Sequence, residues 1–280
     1  MRFSKYQGLG NDFVMVADPG DDIRLAPADV RRLCDRRFGV GADGVIRVAP
    51  GRDGTDLVMD YVNSDGSVGE MCGNGIRCLA LFARAEGLTE ASELRVGTRA
   101  GVRLVRVLAD GRVEVDMGPP AFAPAEIPVA WEGTDALGVK LETAGGVIEV
   151  ACVSMGNPHA VLFDDDPSVA RARSLGPAIE THPLFPRKTN VELVRVERRD
   201  RLTMAVWERG SGATLACGTG ACAAAVVARL LAGTGENVTV ALPGGELEVR
   251  WRGSLEQPEH VMMTGPARET FRGEVSLEDA

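Results

Sequence analysis

The chain is written twice. Cys72 and Cys217 lie 145 positions apart, and the same offset carries Leu57, Met59, Gly73, Gly75, Ala80, Ala83 and Arg84 onto Leu202, Met204, Gly218, Gly220, Ala225, Ala228 and Arg229. Near that offset Gly10-Asn11, in GLGNDFVMV, returns as Gly156-Asn157, in SMGNPHAVLF. After one gap GVIRV (44–48) is answered by ELVRV (192–196). A period this long points to duplicated domains, not to a solenoid of short units. The 280 residues, 45% of them hydrophobic, suffice for two cores. The divide is expected in GPPAFAPAEIP (118–128), the richest proline stretch, read as a linker. The first domain then spans 1–118 and the second 119–263, with the tail (about 264–280) free to return to the first.

Each half repeats one local pattern. An extended opening carries Gly-Asn, followed by alternating strands such as DLVMDYV (56–62) and RLTMAVW (201–207). A tight glycine turn and an apolar helix come next. Closing hairpins follow in RLVRVLADGRVEVDM and VTVALPGGELEVRW, with turns expected at Asp110-Gly111 and Gly244-Gly245. The pattern predicts a mixed α/β chain.

The glycine turns carry the chemistry. MCGNG (71–75) and ACGTG (216–220) both place a cysteine before Gly-x-Gly at the start of a helix. Glycines let bare backbone N–H groups approach a ligand, and the helix adds its unpaired N–H groups and the positive end of its dipole. Such a place stabilises an anion, either a bound carboxylate or the cysteine's own thiolate, and is expected to draw a thiol toward ionisation. If the halves pack by pseudo-symmetry, Cys72 and Cys217 face one cleft. Two acid–base groups on opposite faces of a carbon suit inversion: one removes the α-proton and the other returns a proton opposite. Cys34, Cys78, Cys152 and Cys222 lack this context and read as buried small hydrophobes.

Other chemistries fit less well. The formal charge of −9 argues against a nucleic-acid footprint. The longest weakly polar run, 215–228, is too short to span a bilayer. MRFSKYQGLGNDF lacks a signal-like apolar core, and six cysteines then suggest reduced thiols in the cytoplasm. The spacings C-x5-C and C-x4-C, with three histidines, do not read as a zinc site. None of the three lysines (Lys5, Lys140, Lys188) lies in a glycine-lined phosphate-binding context, as a pyridoxal phosphate enzyme requires. No Walker lysine or strand-linked dinucleotide fingerprint appears.

Taken together, GLGNDFVMVAD, VGADGVI, VNSDGSVGEMCGNGIRC, GNPHAVLF, TNVELV and ERGSGATLACGTGACAAA resemble the diaminopimelate epimerase family, in order from Gly8 to Ala225. The resemblance implies two similar α/β (α+β) domains, each with strands wrapped around a central helix, and an active site in the cleft between them. It implies interconversion of LL- and meso-2,6-diaminoheptanedioate, a small-molecule substrate, without metal or cofactor, and a homodimer. Cys72 and Cys217 match the family's base and acid. The backbone at Gly73-Asn74 and Gly218-Thr219 matches its α-carboxylate cradle. Asn11, Asn63, Asn157, Asn190, Glu208 and Arg209 match substrate-holding positions, largely at the distal amino-acid end. His159, with Glu208, matches a supporting role in thiol protonation. Two departures stand out: Gly44 where some members have glutamine, and Ala213 where many have an acidic residue. A proline-racemase-like enzyme, a phenazine-biosynthesis-type isomerase and a thiol-based redox sensor or binding protein are the competing readings. The phenazine-type enzymes lack the cysteine pair, and a proline racemase has no need of a second amino-acid end.

Overall fold

In the computed structural model the structure describes residues 1–276, so the tail expected over 264–280 lies outside the described residues from 277 on. The chain divides into two compact units. One comprises Met1–Val115 with the segment from Thr264 on; the other is Asp116–Met263.

The first unit runs β1 (Arg2–Gly8), β2 (Asn11–Ala17), α1 (Pro27–Cys34), β3 (Gly44–Pro50), β4 (Leu57–Asn63), α2 (Gly73–Ala85), β5 (Glu93–Thr98), β6 (Gly101–Val107) and β7 (Val113–Asp116). Strands β1 and β2 pair antiparallel, β2 and β3 parallel, β3 and β4 antiparallel, β4 and β5 parallel, and β5 and β6 antiparallel.

The second unit opens with β8 (Val139–Thr143). It continues through β9 (Gly146–Ser154), β10 (Pro158–Phe163), α3 (Val169–Glu180), β11 (Asn190–Arg198), β12 (Arg201–Glu208), β13 (Gly212–Thr214), α4 (Gly218–Ala232), β14 (Asn237–Leu242) and β15 (Gly245–Arg250). From β9 onward the pairings are β9–β10 antiparallel, β10–β11 parallel, β11–β12 antiparallel, β12–β14 parallel and β14–β15 antiparallel. These five pairings repeat those of the first unit in order, with β13 as an added short strand beside β12, so the repeat read in the sequence is a repeat of topology. After β16 (Met262–Gly265), β17 (Arg268–Glu274) pairs antiparallel with β1.

Each unit is built around one buried helix. Nearly every residue of α4 from Gly218 to Ala228 is buried, and the helix touches β9, β10, β11, β12, β14 and β15. A helix apolar on all sides has no solvent face to offer. Its alanines let strands approach closely, while each buried Val contributes roughly 1.5–3 kcal/mol. Gly233, at φ 67°, ends it in the left-handed conformation that a β-carbon disfavours. Helix α2 is enclosed in the same way by β1, β2, β3, β6 and β17. The opposite face of each sheet carries the amphipathic helix, α1 over Val14, Val16 and Val45, and α3 beside Val191, Leu193 and Ala205. Gly176 on α3 has no room for a β-carbon, which would meet Trp207 at 2.3 Å.

Two local expectations need adjusting. The proline-rich stretch 118–128 is part of the second unit: Ala121 bridges Ser154, and Ile127 is fully buried in the core that includes Val150 and Leu193. The closing hairpin of that unit pairs Leu242 with Gly245, so its two-residue turn is Pro243-Gly244, one position before the turn expected. Among the described residues no helix is long and apolar enough to cross a membrane.

Candidate active site

Cys72 and Cys217 are the N-caps of the two buried helices. Both have extended backbones, with φ/ψ of −135°/117° and −127°/116°. Each sulfur accepts a hydrogen bond from the N–H three residues on, Gly75 at 3.4 Å and Gly220 at 3.3 Å. Cysteine thus occupies the place that Ser, Thr, Asp or Asn usually takes. Space explains the second glycine of each motif. A β-carbon on Gly75 would lie 2.6 Å from Ile46 Cδ1, and one on Gly220 would lie 2.7 Å from Glu192 Oε1. Gly73, Asn74, Gly218 and Thr219 supply the first-turn N–H groups, which have no carbonyl four residues back within the helix.

In the first unit Cys72 faces amides. Its thiol donates to Asn11 Oδ1 at 3.6 Å, which also accepts from Asn74 Nδ2 at 3.2 Å. Asn11 Nδ2 in turn donates to Asp43 Oδ2 at 2.7 Å, and Arg36 binds Asp43 Oδ1 at 2.6 Å. Asp43 therefore sets which end of the Asn11 amide meets the sulfur. The fully buried Arg77 donates to Asn74 Oδ1 (3.1 Å) and Gly73 O (2.9 Å), tying the helix's first turn. Asn63, at the end of β4, lies outside this network and donates to Ser67 Oγ at 3.0 Å. Lys5 is buried in an ion pair with Asp12, 2.6 Å away.

In the second unit Cys217 faces acids. The alternation of paired strands turns His159 and Val161 of β10, Asn190 and Glu192 of β11, and Val206 and Glu208 of β12 to one face. That face is the one against α4, since their alternates belong to the core beside α3. His159 Nδ1 lies 2.7 Å from Glu192 Oε1 and its Nε2 2.9 Å from Asn157 Oδ1. Thr219 Oγ1 lies 3.5 Å from the Cys217 sulfur. Glu208 accepts from Thr214 Oγ1 and from the Cys217 thiol.

Burial pushes the Cys217 thiol well above its ordinary value; the charges of Glu208 and Glu192 add to the rise, and the bonds from Thr219 and Gly220 only partly oppose it. The expected pull of the helix end toward thiolate is therefore overruled here. A dipole effect of about 0.3–1 kcal/mol is small beside the removal of a charge from water near two carboxylates. Burial likewise raises the Glu208 carboxyl, against the bonds from Thr214 and Cys217. Acid and acceptor are both shifted toward holding the proton they share.

The repeat makes the contrast between the thiols structural. The offset that maps Cys72 to Cys217 maps Asn63 to Glu208. Two residues after Asn157 stands His159, whereas two after Asn11 stands Phe13, packed edge-on against Tyr61. One unit holds apolar and amide groups where the other holds titratable ones.

Asn190 and Arg209 form a second cluster in this unit. Asn190 is buried, donates to Pro158 O at 2.8 Å and accepts from Arg209 N at 2.9 Å, so its amide holds the turn that presents Arg209. The Arg209 side chain is exposed, with its guanidinium donating to Arg187 O at 3.4 Å. Glu180 braces the same turn by accepting from Trp207 Nε1 (2.7 Å) and Gly210 N (3.0 Å).

His182 and His260 lie apart on the surface, on Glu142 O and Asp116. Cys34, Cys78, Cys152 and Cys222 are buried, and burial raises the thiols of Cys34 and Cys78 to about 12. No group of three or more His, Cys, Asp or Glu among the described residues is arranged to hold a metal ion.

Sequence reasoning missed Glu192 and Asp43. Glu192 had a legible signal, a carboxylate two residues after Asn190 in an otherwise apolar strand, and so on the same face. Asp43, on a loop, had none.

Gly44, one of the two departures, is imposed by its neighbours. A β-carbon there would lie 2.6 Å from both Tyr61 Cε2 and Val62 O. Gly44→Gln is expected to cost about 1–3 kcal/mol, the usual range for overpacking. Urea unfolding checks this, and an unchanged midpoint would show that Tyr61 moves aside freely. Ala213, the other departure, pairs with Trp207 in β13.

A family model described as diaminopimelate epimerase matches residues 3–123 and 151–270. A diaminopimelate epimerase from Nostoc punctiforme is 47% identical over 280 residues, covering 98% of this chain and 99% of that protein. One from Synechocystis sp. is 49% identical over 282 residues, covering 99% of each. Among solved structures, a probable proline racemase from Agrobacterium radiobacter K84 superposes with a TM-score of 0.73 at 17% identity, covering 99% of this chain and 93% of the other. That last likeness is one of fold.

Proposed function

Since the chain belongs to the diaminopimelate epimerase family, we propose that it interconverts LL- and meso-2,6-diaminoheptanedioate, in lysine and cell-wall precursor biosynthesis, by proton transfer through Cys72 and Cys217. The observation that carries the thiol mechanism is the duplicated cap: each copy of one topology presents a cysteine sulfur at the N-terminus of its buried helix.

One thiolate takes the α-proton, so that a C–H bond breaks and an S–H bond forms. The other thiol gives its proton to the opposite face of the same carbon, leaving itself as thiolate. The proton count is unchanged over the turnover. First-turn N–H groups at Gly73-Asn74 and Gly218-Thr219 hold the α-carboxylate and stabilise the negative charge that develops beside it. When Cys217 must act as base, Glu208 accepts its proton, a role supported by the hydrogen bond between them. Asn11, Asn157 and His159 orient the two sulfurs and their partners. Asn63, Asn190, Glu208 and Arg209 serve the distal amino-acid end, with Arg209 offering a planar fork to the second carboxylate and Glu208 an acceptor for the second ammonium.

The deciding experiment follows conversion of the LL to the meso isomer by purified, reduced protein, with α-proton exchange measured in deuterated water. Absence of both would refute the reading. The reading also carries a cytoplasmic setting, in keeping with the six cysteines of the sequence read as reduced thiols, and a homodimer, which a solution mass measurement tests.

Arg209→Lys keeps the charge but loses the paired parallel hydrogen bonds. KM is expected to rise about tenfold or more, the scale of one charged hydrogen bond, with a smaller change in kcat. Unchanged steady-state constants would place Arg209 outside the substrate contacts.

A further inference from the structure

The turn that presents Arg209 is held from both faces of its sheet. Arg209 N donates to Asn190 Oδ1 at 2.9 Å, from the face that carries α4. The next N–H, of Gly210, donates to Glu180 Oε1 at 3.0 Å, from the face that carries α3. The same carboxylate accepts from Trp207 Nε1 at 2.7 Å through Oε2, and its Oε1 lies 3.6 Å from Lys188 Nζ. Packing fixes the indole as well. A β-carbon on Gly176 of α3 would meet Trp207 at 2.3 Å, and one on Gly212 of β13 would meet it at 3.5 Å.

Glu180 stands where an acid is disfavoured. It is the last residue of α3, at the negative end of the helix dipole, and its side chain is only 8% exposed. Asp35, the acid at the end of α1 in the first unit, uses one oxygen for Arg37 N and Phe38 N of its own loop. Glu180 instead reaches across to another element. Its partners there, an indole N–H, a backbone N–H and an ammonium, can only donate, so both of its oxygens have to accept. What these bonds fix is the backbone beneath the exposed Arg209 side chain. Resting on the reading that Arg209 grips the distal carboxylate of the substrate, we propose that Glu180 is a positioning residue for substrate selection. From the face of the sheet opposite Cys217 it sets the direction of Arg209, and so how tightly a second carboxylate is held.

Glu180→Gln keeps the shape and breaks the brace. Whichever way the amide turns, its NH2 group faces Trp207 Nε1 or Gly210 N, donor against donor. Gly210 is exposed, so its N–H turns to water and the turn leaves its place. The substrate must then restore the turn before Arg209 can fork onto it, and affinity falls. Charge alone acts in the opposite sense, because loss of a carboxylate favours a nearby anion. Lys188 already offsets that charge, and with Lys188 55% exposed the pair is screened, so the lost bonds prevail. Glu180→Asp separates the two effects. It keeps the charge and both oxygens but, one methylene shorter, cannot reach Trp207 and Gly210 together.

Substrate-free protein gives the first readout. Hydrogen exchange followed by NMR should show the Gly210 amide and the Trp207 indole N–H protected in the native protein. In Glu180→Gln both should exchange at least about tenfold faster. Absence of protection in the native protein overturns the brace. With diaminopimelate, KM should rise about tenfold in both Glu180 variants, the scale of one broken buried hydrogen bond. Meanwhile kcat should stay within about threefold, because Glu208 remains paired with Gly212 and bonded to Thr214. The decisive measurement is a double-mutant cycle on kcat/KM, taken from the linear range below KM. In an Arg209→Ala background, Glu180→Gln should change kcat/KM by less than about twofold, since the side chain it positions is gone. A full tenfold fall in that background would show that Glu180 acts through the fold at large, and overturns the proposal. A lowered KM in Glu180→Asp, or a loss confined to kcat, does the same. Should Glu180→Gln fail to fold by circular dichroism, Glu180→Asp carries the cycle with the same expectations. A native protein inactive on diaminopimelate sinks the epimerase reading, and the exchange rates still decide the brace. An active one with an additive cycle sinks the role of Glu180 alone.

Discussion

Cys72→Ala and Cys217→Ala are each expected to lower epimerisation by at least ~10²–10⁴-fold, the usual effect of losing one general acid–base group. The loss should be larger than for a residue that only binds substrate, because inversion needs a proton carrier on each face. One remaining thiol can remove a proton and return it only to the side from which it came. The two variants should stay folded. Each deletes one sulfur cap bond, at 3.4 Å or 3.3 Å, and a lost helix cap costs about 1 kcal/mol. Circular dichroism and urea unfolding separate folding from chemistry. Near-normal turnover by either folded variant would end the two-thiol mechanism.

Glu208→Gln is expected to reduce kcat by ~10²-fold or more, with a modest rise in KM, because the amide still accepts from Thr214 but cannot take the Cys217 proton. A purely substrate-binding Glu208 would show the reverse, a raised KM with kcat intact. The pH profile gives a second readout. Glu208 must be ionised to accept a proton, and burial raises its carboxyl. The acid limb of kcat/KM should therefore lie above the ordinary carboxylate range in the native enzyme and be absent from the variant. Stability should move the opposite way to activity. A carboxyl whose folded value lies above its unfolded one favours the folded state at low pH, and that contribution is lost as pH rises through the folded value. Glu208→Gln should thus gain stability relative to the native enzyme between pH 5 and pH 8. Unfolding curves at those two pH values decide it.

Much of the architecture was legible because it depends on order and period. The 145-residue offset required two copies of one topology, and the five strand pairings of the two units agree in order. Cysteine before Gly-x-Gly ahead of an alanine-rich run required a thiol at a helix mouth, since glycine leaves room that no other residue does and the helix must start where its periodic face begins. Alternation in TNVELV already put Glu192 on the face of Asn190. Packing decided what those residues are worth. A sulfur at a helix end reads as an activated thiol until it is known to be buried between Glu208 and Glu192, where desolvation and two nearby charges outweigh the dipole. Asn190 reads as an isolated polar residue until its amide is seen to tie Pro158 O to Arg209 N and so hold the turn that presents Arg209. The stretch 118–128 reads as a linker until Ile127 is found at the centre of a core. Periodicity says which way a side chain points, and residue type says what it can donate or accept. Proton affinity and hydrogen-bond direction depend on distances of 3–4 Å between residues far apart in the chain, and only the folded contacts set those.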